Sequence, residues 1–329
     1  MSSSKSESLR TKDGSSGSSS YIDSFGRRID SLRISLTQRC SLSCFFCHRE
    51  GENKAGKEMT IDEIEQIVKH ASTHGVRHVK LTGGEPLLRE DLLDIIRRIS
   101  PLVPDLSMTT NGLFLEEMAE GLKEAGLTRV NVSIHSLDSD IYFKITGSRE
   151  LEKVKRGVKK ASGVGLAPVK VNMTILRGYN EDSIGEMMEF SSNVGAILQI
   201  IELQQIPVEG QQRDDNLWVD LSPLEEDLKQ RAIKTERRSL HGRFQYTIPL
   251  DKQRTVVVEI VKPMHNTIFC QECTRMRVTS DGKFKPCFYR LDNFVEIFPS
   301  EEQLEPEAAI QKAFKQAVSK REPYWRDEN

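Results

Sequence analysis

Six cysteines, grouped in two sets of three, are the residues of this 329-residue chain that are best suited to chemistry. The first set is Cys40, Cys44 and Cys47, and the second set is Cys270, Cys273 and Cys287. Three thiolates can bind three irons of a 4Fe–4S cluster and leave the fourth iron open to a small molecule. Odd-numbered sets make a poor disulfide framework, so the spacing predicts two metal centres.

Each set also has a simpler interpretation. Positions 40, 44 and 47 would share one face of a helix, where buried cysteine behaves as a small apolar residue. Leu42, Phe45 and Phe46 would then lie on the opposite face, so no amphipathic stripe results. A structural zinc ion takes four ligands, which His48 could complete in the first set and His265 in the second.

The elements that position the first cysteine set are predicted to be alternating strands and helices. Six short apolar or β-branched runs are typical of strands buried on both faces, and they span 32–36, 78–81, 106–109, 129–134, 169–175 and 198–203. Six strand–helix repeats predict a parallel sheet with right-handed crossovers. Such an α/β fold is either an incomplete (βα)6 TIM-like barrel or a doubly wound open sheet, and the pattern alone allows both. In a barrel, the first set follows the first strand, at the end where active sites form.

Two helix starts carry capping signals. Thr60 followed by Glu63 predicts a capping box ahead of an apolar stripe at helical spacing. Ser222, Pro223 and Glu225 predict a second capping box with proline at the first helical position.

The chain divides into three predicted regions. Residues 1–20 are rich in serine and almost free of large apolar side chains, so we predict a disordered tail. Residues 21–235 are predicted to form the parallel α/β region. The alternation then stops, and residues 236–329 are predicted to form a C-terminal extension of short strands and turns around the second cysteine set.

The charge of the chain limits its partners. A formal net charge of −2 argues against binding to nucleic acid or to a membrane surface. No apolar run reaches the roughly 18 residues that span a bilayer, and no signal peptide is recognisable. We therefore expect a cytoplasmic protein.

A second chemical segment follows the second predicted strand, where residues 81–86 read Leu-Thr-Gly-Gly-Glu-Pro. Two glycines let the backbone approach a ligand closely, and the Glu85 carboxylate can accept a hydrogen bond from an ammonium group. Arg33 and Lys170 lie on strands of otherwise apolar composition, where a buried cation needs an anionic partner. That partner is either a bound anion or an acidic neighbour, and the residues alone allow both.

The CX3CX2C loop after a first strand resembles the signature of the radical S-adenosylmethionine (SAM) superfamily. The resemblance implies an incomplete barrel in which the open iron binds the methionine portion of SAM and residues 81–86 lie along it. It also implies that reduction of this cluster splits SAM and releases a 5′-deoxyadenosyl radical.

Two further segments resemble the GTP 3′,8-cyclases, the MoaA family of molybdenum cofactor biosynthesis. Residues 269–288 read Phe-Cys-Gln-Glu-Cys-Thr-Arg-Met-Arg-Val-Thr-Ser-Asp-Gly-Lys-Phe-Lys-Pro-Cys-Phe, and residues 25–27 and 32–37 match the same family. The resemblance implies two 4Fe–4S clusters and SAM as cofactors, with GTP as the substrate. The implied product is (8S)-3′,8-cyclo-7,8-dihydroguanosine 5′-triphosphate, and the second open iron is expected to bind guanine.

The family resemblance also implies partners. A cyclic pyranopterin monophosphate synthase would consume the product, and a reductant protein would supply electrons. Neither a membrane nor a nucleic acid is expected, and a homodimer is compatible with the resemblance.

The resemblance assigns individual residues to each ligand. The implied SAM-binding residues are Phe46, Gly83, Gly84, Glu85, Ser133 and Gln204. The implied GTP-binding residues are Arg33, Lys80, Thr110, Lys170, Arg275 and Arg277. Other members often have tyrosine, arginine and methionine where this chain has Phe46, Lys80 and Gln204. Bacterial members end in a Gly-Gly tail, whereas residues 324–329 here read Tyr-Trp-Arg-Asp-Glu-Asn, and residues 47–51 look closer to archaeal members.

Three other functions share part of this pattern. A radical SAM enzyme with an auxiliary cluster that acts on a peptide or another small molecule would not need Lys170, Arg275 and Arg277 together. An iron–sulfur electron carrier would need neither the Gly-Gly-Glu-Pro segment nor a barrel. A zinc-stabilised binding module would not bind the seven or eight irons, roughly, that two cubane clusters imply.

Overall fold

The computed structural model of the protein describes residues 20–52, 57–204, 215–238, 240–299 and 304–326. The predicted disordered tail, apart from residue 20, lies outside these ranges, as do residues 327–329 at the end of the chain.

Six consecutive parallel strands form the centre of the sheet, as predicted. They are β1 (Ser31–Ser35), β2 (His78–Thr82), β3 (Asp105–Thr110), β4 (Arg129–Ser133), β5 (Lys170–Thr174) and β6 (Ile197–Ile201). Each strand pairs with the next one along the chain, and every pairing is parallel. This order is that of an incomplete (βα)6 barrel and excludes a doubly wound sheet, in which the strand order reverses.

The two faces of these strands differ more than the sequence suggested. On β1, Leu32 and Ile34 are fully buried, while Arg33 between them lines a cavity. The same alternation places Lys80 of β2 and Asn131 of β4 on the cavity side. The prediction of apolar burial on both faces is therefore wrong for the inner face, which is polar.

Helices cover the outer face of the sheet. Those between the parallel strands and after β6 are α1 (Ile61–Thr73), α2 (Leu92–Ile99), α3 (Leu115–Glu124), α4 (Ser139–Thr146), α5 (Leu151–Gly163), α6 (Ile184–Asn193) and α7 (Ser222–Arg231). The predicted capping box of α1 is confirmed, since Glu63 N–H donates to Thr60 Oγ1 at 3.2 Å and Thr60 N–H donates to Glu63 Oε2 at 2.7 Å. The predicted capping box of α7 is wrong. Ser222 is already the first helical residue, and the Glu225 carboxylate pairs with Lys262 at 2.5 Å instead.

The C-terminal region continues the sheet at both edges. Its elements are β7 (Lys234–Arg237), β8 (Phe244–Pro249), β9 (Thr255–Val261), α8 (Thr267–Gln271), β10 (Arg275–Val278), β11 (Lys283–Lys285), β12 (Val295–Glu296) and α9 (Pro306–Ser319). Within the described residues the strand order is β12-β11-β10-β1-β2-β3-β4-β5-β6-β9-β8-β7. The predicted domain boundary at residue 235 falls inside β7.

No helix in the described ranges is both long enough and apolar enough to cross a bilayer.

Candidate active site

A cavity of about 600 Å³ lies inside the curved parallel sheet and reaches the loops that follow its strands. Both predicted cysteine sets line it: Cys40, Cys44, Cys47, Cys270, Cys273 and Cys287. All six thiols are free of disulfides. Two sets that are far apart in the sequence therefore face one shared space, which is large enough for small molecules to contact both.

The first set lies on the loop that follows β1. Cys47 N–H donates to the Cys44 carbonyl at 3.1 Å, and Asn111 from the end of β3 directs its side-chain amide towards Cys40 Sγ at 3.9 Å. Burial and, to a smaller extent, the neighbouring sulfurs of Cys47 and Cys40 raise the pKa of the Cys44 thiol to about 12. Three thiols close enough to oppose one another's ionisation need a positive centre between them, which a metal cluster provides.

The second set is assembled from three parts of the C-terminal region. Cys270 and Cys273 lie in α8 and just after it, and Cys287 follows β11. Trp325 N–H donates to Cys270 Sγ at 3.4 Å, so the end of the described chain covers this set. Burial raises the pKa of Cys273, but the cations of Arg321 and Arg275 outweigh burial and hold it below its usual value.

Neither cysteine set is completed as a zinc site within the described residues. In the ranges that the structure describes, no three histidine, cysteine, aspartate or glutamate side chains converge as ligands of one metal ion. A cluster of four irons spreads its thiolates more widely than a zinc shell does. His265, the alternative fourth zinc ligand, is exposed, and its ring packs on Trp325 at 4.1 Å between centroids. Three free thiols on one loop fit an iron–sulfur cluster at the first set, and a cluster at the second set stays a prediction.

The Gly-Gly-Glu segment packs against the first cysteine loop. Gly84 N–H donates to the Thr37 carbonyl at 2.7 Å, and Glu85 N–H donates to the Arg39 carbonyl at 2.7 Å. A Cβ on Gly83 would lie 2.5 Å from the Thr37 carbonyl oxygen, and one on Gly84 would lie 2.3 Å from that of Arg39. Only glycine fits at either position, and both glycines line the cavity.

The Glu85 carboxylate has a different place from the one expected. It is fully buried, and it accepts from Thr110 Oγ1–H at 2.7 Å, Asn111 N–H at 2.7 Å and Leu87 N–H at 3.0 Å. Burial raises its pKa to about 7 despite these donors. The side chain does not line the cavity, so this placement does not support the predicted contact with the SAM ammonium group. Glu85 instead holds the ends of β2 and β3 together.

The other implied SAM-binding residues line the cavity. Ser133 ends β4, and Gln204 follows β6 at the last residue described before a gap. Phe46 packs edge-on against His135, with ring centroids 4.9 Å apart.

The implied GTP-binding residues also converge on the cavity: Arg33, Lys80, Thr110, Lys170, Arg275 and Arg277. In the sheet register Arg33 lies between Arg277 on β10 and Lys80 on β2, so three cations stand side by side. Arg275 and Arg277 line the same side of β10, as their alternate spacing predicted.

Two buried carboxylates that the sequence analysis missed neutralise part of this charge. Glu50 accepts from Arg33, and from Arg277 Nη1 at 3.0 Å. Glu259 on β9 is fully buried and pairs with Lys170, and with Arg243 Nη1 at 2.7 Å. The sequence alone allowed either a bound anion or an acidic neighbour as the partner of Arg33 and Lys170, and the structure shows an acidic neighbour for each. An ionisable residue inside the apolar run of β9 was the available signal for Glu259, whereas Glu50 carried none.

Two cations have no such counter-ion. Lys80 Nζ donates to Asn131 Oδ1 at 2.9 Å, and neither Lys80 nor Arg275 has a carboxylate partner among the described residues. Burial lowers the pKa of Lys80 well below its usual value, and nearby Arg129 lowers it further. Burial and Arg277 do the same to Arg275. Buried cations that no carboxylate neutralises favour an anionic ligand.

Comparisons with known proteins agree with this geometry. Residues 34–191 match the Radical SAM superfamily, and residues 196–326 match the family Molybdenum Cofactor Synthesis C. A protein of Pyrococcus horikoshii named "Probable GTP 3',8-cyclase" is 48% identical over 306 residues, which cover 92% of this chain and 98% of that protein. The chain belongs to the GTP 3′,8-cyclase family. As a radical SAM enzyme it uses SAM and an iron–sulfur cluster, which the predicted first cysteine set fits.

Other relatives in the family are similarly close. A protein of the same name from Thermococcus kodakarensis is 48% identical over 307 residues, which cover 92% of this chain and 99% of that protein. One from Archaeoglobus fulgidus is 44% identical over 309 residues, again 92% of this chain and 99% of that protein. The family resemblance stated from the sequence is therefore confirmed.

Solved structures support the fold. The Streptococcus suis SuiB structure bound to S-adenosylmethionine has a TM-score of 0.59 at 19% identity, covering 79% of this chain and 60% of SuiB. A structure of tagged anSMEcpe with bound AdoMet has a TM-score of 0.58 at 19% identity, covering 87% of this chain and 81% of that one. At this identity the likeness confirms the partial barrel and says nothing about substrate.

Proposed function

We propose that this protein converts GTP to (8S)-3′,8-cyclo-7,8-dihydroguanosine 5′-triphosphate, the first step of molybdenum cofactor biosynthesis. The observation that carries the proposal is that two three-thiol sets and a group of buried cations line one cavity. An enzyme that joins two atoms of one nucleotide has to hold the base and the triphosphate at once.

SAM binds beside the first cysteine set. When bound by Cys40, Cys44 and Cys47, a 4Fe–4S cluster supplies the electron that splits SAM. Gly83 and Gly84 bring their backbone close to the cluster loop, and Phe46, Ser133 and Gln204 line the cavity around the rest of SAM. Glu85 holds the ends of β2 and β3 in place and does not contact SAM, because its carboxylate accepts hydrogen bonds at the end of β3.

The triphosphate binds to the cationic side of the cavity. Lys80 and Arg275 offer charges without a carboxylate partner in the described residues, and Arg33, Lys170 and Arg277 lie beside them. Thr110 lines the same cavity, although its hydroxyl already donates to Glu85. Exclusion of water around the nucleotide strengthens each of these interactions.

Cys270, Cys273 and Cys287 bind a second 4Fe–4S cluster, and guanine binds at its open iron. The main support is that the free thiols of this set line the same cavity as the first set. A cyclic pyranopterin monophosphate synthase is proposed to consume the product, and a reductant protein to supply electrons. A cytoplasmic location and a homodimer remain predictions.

The test follows one hydrogen atom. Anaerobic protein, reconstituted with iron and sulfide, is mixed with SAM, a strong reductant and GTP that carries deuterium at C3′. The product has the elemental composition of unlabelled GTP and differs from the labelled substrate only by the lost deuterium, so chromatography has to separate the two before mass analysis. We expect the cyclised nucleotide, together with 5′-deoxyadenosine that has gained deuterium. Unlabelled deoxyadenosine without the nucleotide product would retain the superfamily assignment and refute the GTP assignment.

Two cysteine variants separate the sites. Cys287→Ala is expected to retain about four of eight irons and to cleave SAM without converting GTP. Cys47→Ala is expected to lose both reactions. Equal loss of SAM cleavage in the two variants would contradict separate roles for the two sets.

A further inference from the structure

The cavity wall contains buried polar atoms that have no partner. Among the described residues that line the cavity, His241 Nε2, Arg275 Nε and Tyr289 Oη are buried and lack a hydrogen bond. All three belong to the C-terminal region. A buried polar atom without a partner loses the hydrogen bond that it made with water, and one that lies on a cavity wall can regain a partner from a bound ligand.

His241 is held in an unusual conformation. Its φ is +60°, in the left-handed region that residues other than glycine rarely occupy. Its N–H donates to the Glu272 carbonyl at 3.3 Å, and its ring packs on Phe269 with centroids 3.9 Å apart. The side chain is only 7% exposed. Strained backbone of this kind persists where the surroundings impose it, and it concentrates at functional sites.

The surroundings of His241 are cationic. Burial lowers the pKa of the imidazole well below its usual value, and Arg275, Arg243 and Arg277 lower it further. The ring is therefore neutral, with one N–H donor and one acceptor nitrogen. No guanidinium group donates to Nε2, so we assign the N–H to this nitrogen, which then needs an oxygen acceptor from outside the wall. A phosphate oxygen, drawn to the same place by Arg275, meets this need.

We propose that His241 is a substrate-binding residue whose Nε2–H donates to a phosphate oxygen of GTP next to Arg275. The proposal rests on the function proposed above, because it takes the triphosphate of that substrate as the ligand. The imidazole adds direction without charge, so it fixes where the phosphate chain lies while the arginines and Lys80 hold it electrostatically.

The experiment compares two histidines. In His241→Asn the side chain tolerates a left-handed backbone but is too short to reach the phosphate. His265→Asn is a matched control, since His265 also has a positive φ of +47° but is exposed and does not line the cavity. His241→Gln keeps an N–H donor of similar reach. Binding of GTP and of inorganic triphosphate to the reconstituted protein is measured anaerobically by equilibrium dialysis, and iron content and circular dichroism check that each variant is folded.

We expect His241→Asn to bind both ligands at least about tenfold more weakly, with His241→Gln and His265→Asn within about threefold of the wild type. Unchanged binding in a folded His241→Asn variant would overturn the inference. So would weaker binding of GTP with unchanged binding of inorganic triphosphate, which would place His241 at the base or ribose. If the wild type binds inorganic triphosphate through His241 but does not bind GTP, the phosphate site stands and the proposed function fails.

Discussion

Replacing Glu259 by glutamine removes the negative charge that Lys170 and Arg243 share. The carboxylate is fully buried and accepts further hydrogen bonds from the side-chain amides of Gln199 and Gln245, each at 3.0 Å. Glutamine has nearly the same shape, so the change removes charge without leaving a cavity. It also presents an N–H₂ group to four donors, at least one of which then loses its acceptor.

Two arguments give the loss of folding free energy in Glu259→Gln. Breaking a buried ion pair by removing one partner costs about 3–5 kcal/mol. The pKa of Glu259 gives a second value. Burial alone would raise this pKa, but the cations of Lys170 and Arg243 outweigh burial and lower it from 4.5 to about 2. That fall corresponds to about 3 kcal/mol in favour of the carboxylate in the folded state. At about 2 °C per kcal/mol for a chain of this size, we expect the melting temperature to fall by about 6–10 °C.

The assay is anaerobic thermal unfolding with and without inorganic triphosphate. Lys170 and Arg243 line the cavity, so a bound polyanion can replace the missing charge and should stabilise Glu259→Gln more than the wild type. Glu189→Gln is the matched control, because Glu189 pairs with Arg254 at 2.6 Å on the surface, where ion pairs contribute about 1 kcal/mol or less. Equal melting of Glu259→Gln and the wild type would refute the reasoning, since both cations would then be stable without an anion.

Buried charges elsewhere in the fold give three further predictions. Because the pKa of Glu85 is raised to about 7, the folded state holds a proton that the unfolded chain releases above about pH 4.5. The free energy of unfolding should therefore fall by up to about 3 kcal/mol between pH 5 and 8, and urea titrations of Glu85→Gln should show no such fall. Lys80→Met removes a buried cation that has no counter-ion in the described residues. The melting temperature should therefore rise by about 2–4 °C while GTP binds at least about tenfold more weakly, and a variant that loses stability would contradict this. Arg321 is 1% exposed and donates both to the Asp23 carboxylate at 2.8 Å and to the Cys273 carbonyl at 2.5 Å. Arg321→Met should therefore destabilise the fold by about 3 kcal/mol and speed the loss of half the iron to a chelator, whereas loss in one phase at the wild-type rate would contradict this.

The fold and the cysteine sets could be predicted because their signals are local. Each predicted parallel strand overlaps an observed one, since a short apolar run between amphipathic helices defines a strand without knowledge of its neighbours. The first cysteine set follows β1 directly, so the position of the strand fixes the position of the loop. The spacing of the second set and its family resemblance predicted that it lines the site, whereas its metal stays a prediction.

The electrostatics of the cavity could not be predicted, because they depend on register between distant strands. Glu259 lies 89 residues from Lys170, and the two meet only because β5, β6 and β9 are neighbours. His241 gave no sequence signal, since its role depends on a backbone conformation that only the fold shows. The polar residues on the inner face did leave a trace. Arg33, Lys80 and Asn131 each stand between apolar residues of a strand, which is the period-two pattern of a polar lumen.

The order of strands in the sheet has a consequence for synthesis of the chain. β10 pairs with β1, and β9 pairs with β6, so both rims of the parallel sheet are completed only by segments made last. Until these emerge from the ribosome, β1 and β6 expose unpaired backbone that can recruit another nascent chain. A product truncated before β9 would keep both rims open and should self-associate, so we expect the barrel and the extension to fold together and late.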